Sequence, residues 1–254
     1  MAEGKTEDNR RSEYGFPFPE APFAHRPHLT VQAAQGSTRG VVLVLHGGRS
    51  KSTEPVQARH LSPARMVPFA HRLHREGSSL GLAVWRLRNS VRGWNGADMS
   101  PLRDARWALA QIHEKHPGVP IFLLGHSMGG LTALCAADDP AVDAVVALAP
   151  WVSGETPAER TTGRKVLIVH GTTDKWTSPS ESLAYSRRAA GNAAAMRYVS
   201  LEGAGHFMLS RVGLWHSLAT DSVLAAFAAK TGVAVPTSTT LQETFPTSAG
   251  EVSL

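Results

Sequence analysis

The stretch Gly125-His126-Ser127-Met128-Gly129-Gly130 lies between two apolar runs, residues 119–124 and residues 131–137. The first run is typical of a buried strand and the second of a buried helix, so the stretch predicts a strand, a sharp turn and a helix. Glycines two positions before and after Ser127 leave room for a turn at which Cβ atoms would collide with the adjoining strand and helix. We therefore expect Ser127 to lie at this turn with a strained backbone and an exposed hydroxyl.

This pattern is that of a nucleophile elbow, in which a serine follows a strand and precedes a helix. Met128 would begin the helix, so its backbone N–H would point to the place where a tetrahedral oxyanion forms. The alternative interpretation is an ordinary glycine-rich turn between a strand and a helix, as many α/β proteins contain.

Composition indicates a single globular domain. The 254 residues are 42% hydrophobic and 19% charged, which is typical of a globular enzyme. The net charge of +5 makes nucleic acid a partner to consider, but the basic residues are scattered and no nucleic-acid motif is present, so we expect none. Cys135 is the only cysteine; it excludes an internal disulfide and is interpreted as a core residue.

The two ends of the chain differ in composition from its centre. Residues 1–26 are charged and then proline-rich, which predicts a flexible N-terminal arm, and residues 233–254 are rich in Thr, Ser and Pro, which predicts a disordered tail. Residues 27–232 would form the domain. The polar start of the sequence lacks the apolar core of a secretory signal, and no apolar run is long enough to span a membrane. We therefore expect a cytoplasmic protein.

Apolar runs that alternate with helical patterns predict an α/β fold, with a mostly parallel central sheet and helices on both faces. The predicted strands after a short first one at residues 28–33 are residues 41–45, 80–87, 119–124, 142–148, 165–169 and 195–201. Ser62-Pro63 and Ser178-Pro179 predict helix starts with serine as the N-cap. Residues 151–164 are too few for a helical cap domain, so we expect an open site.

Polar residues follow three of the predicted strands at their carboxyl ends, where the ligand crevice of an open α/β sheet lies. His46-Gly47-Gly48 follows residues 41–45, and Gly48 is predicted to supply a second oxyanion donor. Asp174 follows residues 165–169, and His206 lies in a glycine-flanked loop after the last strand. A serine is a weak nucleophile unless a base accepts its proton, and the order Ser, Asp, His is the one expected in this architecture. The alternative for Asp174 is a turn or capping carboxylate.

Taken together, the HGG, GHSMGG, GTTD and GAGH motifs resemble those of the α/β-hydrolase superfamily over about residues 28 to 230. The resemblance implies a catalytic triad of Ser127, His206 and Asp174, with the amides of Met128 and Gly48 as the oxyanion hole. It is strongest to small capless serine esterases; the dienelactone-hydrolase branch carries a cysteine where this chain has serine. The expected reaction is hydrolysis of a small acyl ester or thioester through an acyl-enzyme, with no metal or organic cofactor.

Two further functions are consistent with the sequence. Arg86, Arg88 and Arg92 near a predicted loop would suit a thioesterase or acyltransferase that acts on an anionic acyl carrier. A non-catalytic binding protein that has kept the fold is the other alternative. The sequence does not indicate an oligomeric state. Large side chains near the expected site are candidates for substrate binding or for core packing, namely Trp94, Trp151 and Trp176.

Overall fold

The computed structural model describes residues 25–235 and 250–254, and this part of the chain forms one sheet flanked by helices. The eight strands are β1 (His28–Gln32), β2 (Gly40–Leu45), β3 (Leu82–Arg88), β4 (Ile121–His126), β5 (Val142–Leu148), β6 (Lys165–Gly171), β7 (Ala195–Leu201) and β8 (Gly250–Ser253). The five α-helices are α1 (Leu61–Gly77), α2 (Ser100–Lys115), α3 (Met128–Ala136), α4 (Pro179–Ala189) and α5 (Val212–Thr231).

The strands are ordered β1-β3-β2-β4-β5-β6-β7-β8 in the sheet. β1 runs antiparallel to β3, and every other neighbouring pair is parallel. Helices α1 and α5 pack against one face and α2, α3 and α4 against the other, which produces two hydrophobic clusters. Because both faces are covered, β2 and β4 are buried along their whole length and consist almost entirely of apolar residues. The predicted α/β class with a mostly parallel sheet and helices on both faces is confirmed.

The register of the strands brings their carboxyl ends to one edge of the sheet. Leu45 at the end of β2 pairs with Gly125, and His126 at the end of β4 pairs with Leu148. Leu148 in turn pairs with Val169 on β6. The loops that follow these strands are therefore neighbours, and the central one carries Ser127.

Within residues 25–235 and 250–254, no cap domain lies above the site edge. The connection from β5 to β6, residues 149–164, contains only the short 3-10 helix Glu159–Thr161. Within the described residues, no helix combines the length and the apolar character needed to cross a membrane.

Of the two helix starts predicted to have a serine N-cap, one differs in the structure and one agrees. Helix α1 begins at Leu61 with His60 as its N-cap, so Ser62 lies inside the first turn, whereas Ser178 is the N-cap of α4 and accepts a hydrogen bond from the Glu181 N–H. Pro63 is tolerated within the first turn because the first N–H groups of a helix have no intrahelical partner.

The end of the predicted disordered tail is also ordered. Gly250–Ser253 form β8, which pairs in parallel with β7, and the Leu254 N–H donates to the Ser200 carbonyl at 2.9 Å. A strand at a sheet edge is held by its backbone groups, so a polar composition does not prevent it from forming. The rest of the predicted arm and tail, residues 1–24 and 236–249, lies outside the described residues.

Candidate active site

Ser127 occupies a strained turn between β4 and α3. Its backbone has φ 57° and ψ −121°, a region that residues with a Cβ rarely adopt. The turn is tight enough to require glycine on both sides. A Cβ at Gly125 would lie 2.1 Å from the Gly129 carbonyl oxygen, and a Cβ at Gly129 would lie 2.4 Å from the Leu45 carbonyl oxygen. The turn therefore has the geometry that the sequence pattern predicts.

The structure brings Ser127, His206 and Asp174 into one hydrogen-bonded row. The Ser127 hydroxyl donates to His206 Nε2 at 3.1 Å, and His206 Nδ1–H donates to Asp174 Oδ2 at 2.8 Å. The Asp174 side chain is fully buried, whereas 7% of the His206 side chain is exposed. One nitrogen of the imidazole thus faces the serine while the other is fixed by a carboxylate.

Asp174 is held in its ionised form by several donors. Burial raises the pKa of this carboxyl, but hydrogen bonds from His170, from His206 and from the backbone N–H groups of Thr177 and Trp176 outweigh burial and hold the pKa far below its ordinary value. The two backbone groups donate to Oδ1, at 3.0 Å and 2.7 Å respectively. The carboxylate therefore keeps a negative charge and a fixed orientation beside His206.

Two neighbours of Asp174 were not predicted as site residues. His170 at the end of β6 is fully buried; its Nδ1 lies 2.8 Å from Ser182 Oγ, and its Nε2–H donates to Asp174 Oδ2 at 3.1 Å. The Thr177 hydroxyl donates to the same oxygen at 2.9 Å. The available sequence signal was the position of His170 at a strand end, four residues before Asp174.

The two predicted oxyanion donors lie next to each other at the turn. Met128 is the first residue of α3, so its N–H has no partner within the helix. Gly48 packs against Met128: a Cβ at Gly48 would lie 2.2 Å from Met128 Cε and 2.4 Å from the Arg92 carbonyl oxygen. A side chain at position 48 would therefore collide with the backbone at Arg92 and displace the Met128 side chain.

Two other histidines near the turn are buried and neutral. The His46 Nε2 accepts a hydrogen bond from the Asn89 N–H at 3.1 Å, and burial lowers the pKa of His46 to about 4. His126 Nε2–H donates to the His206 carbonyl at 2.9 Å, and burial and then the neighbouring His206 lower the pKa of His126 to about 3. These two side chains form hydrogen bonds between the loops around Ser127. The Ser127 hydroxyl is hydrogen-bonded to His206 instead.

Ser127 and His206 open into a cavity of about 890 Å³ at the carboxyl edge of the sheet. This volume lies within the range of small-molecule sites. Trp151 and Trp176, two of the predicted substrate-binding residues, line it. Trp94 does not line it, because its partly buried side chain packs against the hydrophobic cluster beneath α2. Among the three tryptophans predicted to bind substrate, Trp94 is thus the one that lies outside the lining of this cavity.

The arginines singled out in the sequence lie in two different places. Arg92 lines the cavity and forms an ion pair of 2.7 Å with Glu54. Arg86 and Arg88 instead line a separate cavity of about 210 Å³ between β1, β3 and α1. The cations that join Arg92 around the main cavity are Arg49, Lys51, Arg59 and Arg65.

The comparisons with known proteins agree with this architecture. Residues 88–164 match a family model described as serine aminopeptidase, S33. A comparison with curated protein sequences gave no match.

Three similar solved structures are each less than 20% identical in sequence to this chain. An alpha-beta serine hydrolase homologue from Coxiella burnetii is 18% identical with a TM-score of 0.61, over 81% of this chain and 95% of the other. A serine hydrolase without a lid from Xanthomonas campestris is 17% identical with a TM-score of 0.56, over 83% and 92%. The esterase Est2 of Thermogutta terrifontis, solved with propionate bound, is 17% identical with a TM-score of 0.59, over 84% and 92%. The chain therefore has the α/β-hydrolase fold, and the part of it that the structure describes contains no lid.

Proposed function

We propose that this protein is a serine hydrolase that cleaves carboxylic esters through an acyl-enzyme. The observation that carries the proposal is the row of hydrogen bonds from Ser127 through His206 to Asp174, at 3.1 Å and 2.8 Å, at the opening of the cavity. A serine hydroxyl becomes an effective nucleophile only when a base accepts its proton. The esterase neighbours with the same fold, one of them solved with propionate, are consistent with an ester as the substrate.

In the proposed first step, the Ser127 oxygen attacks the carbonyl carbon of the ester while its proton passes to His206 Nε2. Asp174, held ionised by its hydrogen bonds, stabilises the imidazolium that results. His206 then gives the proton to the oxygen of the departing alcohol, which leaves an acyl group on Ser127. Water repeats the sequence on the acyl-enzyme and releases the acid.

The negative charge that develops on the carbonyl oxygen needs donors that are already in position. We propose the N–H groups of Met128 and Gly48 for this role. Their support is that Met128 begins a helix, where the N–H groups and the helix dipole favour an anion, and that Gly48 packs directly against Met128.

The charge of the cavity argues against the cleavage of peptides from a free amino terminus, the activity in the description of the matched family. An aminopeptidase must neutralise the ammonium group of its substrate. Among the described residues that line the cavity none is acidic, and five are lysine or arginine. An ammonium group would be repelled there, whereas an ester carries no such charge.

Replacement of the serine tests the proposed reaction. We expect Ser127→Ala to lower kcat for 4-nitrophenyl hexanoate by roughly 10³-fold or more, because the variant lacks the hydroxyl that would carry the acyl group. Wild-type enzyme should release a burst of nitrophenolate equal to the enzyme concentration, and a fluorophosphonate probe should label Ser127 in a peptide map.

Ser62→Ala is the matched control, since Ser62 lines the same cavity but lies on α1. It should retain the burst and the labelling. Wild-type turnover by Ser127→Ala would contradict the proposal, because Ser127 would then not be the nucleophile. No turnover and no labelling of folded wild-type protein would favour a non-catalytic binding protein.

A further inference from the structure

The side chains around the cavity separate into two halves on either side of Ser127. In the sheet, β2 and β3 lie on one side of β4, and β5, β6 and β7 lie on the other. The loops that follow these strands keep this order. Charged residues come from one group of loops and aromatic residues from the other.

The cationic half comes from the loops after β2 and β3. Arg49, Lys51 and Arg59 lie on the loop after β2, and Arg92 lies on the loop after β3. Arg92 is paired with Glu54. Within residues 25–235 and 250–254, no carboxylate forms an ion pair with Arg49, Lys51 or Arg59.

The positive charges in this half affect the pKa of the nearby His60. Its pKa lies below the ordinary value, first because of partial burial and then because of the charges of Arg92, Arg59 and Arg49, with Glu54 acting in the opposite direction. Like charges held close together without counterions favour the binding of an anion.

The aromatic half lies on the side of the catalytic base. Trp151, Trp176 and Phe207 follow β5, β6 and β7, and the ring centroid of Trp176 is 6.4 Å from that of His206 and 5.3 Å from that of Phe207. Among the described residues that line the cavity, Arg65 on α1 is the one cation outside this division, because its guanidinium lies over the Phe207 ring at 4.8 Å.

The chemistry of the reaction assigns the two halves to the two parts of an ester. His206 must protonate the departing oxygen, so the leaving group has to lie on the His206 side. With the departing oxygen placed on the His206 side, the acyl chain is the substituent of the carbonyl carbon that is left for the other half of the cavity. On this geometry the leaving group lies against the aromatic residues, and the acyl chain reaches the cations.

We propose that the acyl part of the substrate carries an anionic group, a carboxylate or a phosphate, that is bound by Arg49, Lys51 and Arg59. The inference rests on the proposed ester hydrolysis and names its substrate class. Arg49, Lys51 and Arg59 are thus the residues proposed to select an anion. The sequence pointed to Arg86 and Arg88, but these two line a different cavity.

Two esters that differ in one charge test this proposal. Mono(4-nitrophenyl) adipate and 4-nitrophenyl hexanoate have the same leaving group and the same number of acyl carbons, but only the adipate ends in a carboxylate. We expect wild-type enzyme to favour the adipate in kcat/KM by about 10-fold at low ionic strength. The preference should shrink as salt is added, because exposed charges are screened. 4-Nitrophenyl 5-phosphonopentanoate shows which of the two anions is preferred.

A triple variant and a matched control identify the residues. Arg49→Gln, Lys51→Gln and Arg59→Gln combined should abolish the preference for adipate, at about 2-fold per exposed cation, by lowering kcat/KM for adipate more than kcat/KM for hexanoate. The control combines Arg75→Gln, Arg187→Gln and Lys230→Gln, which removes the same charge from exposed positions that do not line the cavity. It should keep the preference.

Some results would overturn the inference and leave ester hydrolysis intact. One is hydrolysis of hexanoate as fast as adipate by the wild type. Another is a preference for an anion on the leaving group, measured with hexanoyl esters of 4-hydroxybenzoate and of its methyl ester. If neither nitrophenyl ester is hydrolysed, the affinities of the Ser127→Ala protein for the two esters are compared by calorimetry. Tighter binding of adipate that the triple substitution removes supports the inference, and equal binding overturns it.

Discussion

Asp174 shows how one carboxylate can be kept charged in a buried position. Burial alone would favour its neutral form, but donors surround both oxygens: two backbone N–H groups face Oδ1, and His170, Thr177 and His206 face Oδ2. A charge that accepts this many hydrogen bonds costs less to bury than an isolated one. The donors other than His206 also prevent the carboxylate from rotating away from the imidazole.

His170 is accordingly expected to act as a positioning residue for Asp174. We expect His170→Phe to lower kcat by about 10-fold with little change in KM, because the carboxylate loses one donor while the cavity is unaltered. His170→Gln retains an N–H that can reach the carboxylate and should recover part of the loss. The kinetic parameters of both variants with 4-nitrophenyl hexanoate, together with circular dichroism for folding, check the prediction. Equal loss in both variants with a raised KM would indicate a general structural role instead.

The turn between β4 and α3 depends on backbone atoms that approach too closely for any side chain. We expect Gly125→Ala to lower the free energy of unfolding by about 3 kcal/mol or more, because the new methyl group meets the Gly129 carbonyl oxygen at 2.1 Å and the helix has to move. The same movement displaces Ser127 and should reduce kcat.

Urea unfolding and nitrophenyl ester kinetics measure both effects of Gly125→Ala. Gly213→Ala on α5 is the control, since a methyl group there meets no atom within 4 Å and alanine favours a helix. A Gly125→Ala protein with unchanged stability and activity would show that the turn can open without cost.

The elements best predicted from the sequence are those whose residues carry their own signal. The continuous apolar run of β2 indicates a strand covered on both faces, and Ser127 between its glycines indicates the turn. Signals that depend on distant partners were missed. β8 forms only because β7 offers a free edge, and the start of α1 at Leu61 is fixed by its surroundings rather than by Ser62.

The site residues also divide into those that the local sequence predicts and those that depend on distant packing. Ser127, Asp174 and His206 each follow a strand, so the parallel sheet determines that they meet. The position of a residue on a long connection is not fixed by the end of a strand in this way. Trp94 turns into the core, and cations from the loop after β2 reach the cavity, because the conformation of a connection depends on packing that a local pattern does not describe.

Buried titratable groups make the stability of the whole molecule depend on pH. His46 and His126, with pKa values of about 4 and about 3, remain neutral in the folded protein at pH values where an unfolded histidine is protonated. Folding then excludes a proton, so the stability that each contributes is present above pH 6.5 and is lost as the pH falls toward the folded pKa. Asp104 acts in the opposite direction, because burial raises its pKa to about 6 against hydrogen bonds from Ser90. A protonated Asp104 favours the folded state as the pH falls below 6.

We expect the free energy of unfolding to decrease between pH 7 and pH 5. Each histidine accounts for a loss of about 2 kcal/mol over this range and Asp104 for a gain of about 1 kcal/mol, so the net loss is about 2 to 3 kcal/mol. Urea unfolding at the two pH values measures it. His126→Asn should reduce the net loss to about 1 kcal/mol or less, because one of the two groups that must stay neutral is gone. A stability that rises between pH 7 and pH 5 would mean that these rings are protonated in the folded protein or that Asp104 outweighs them.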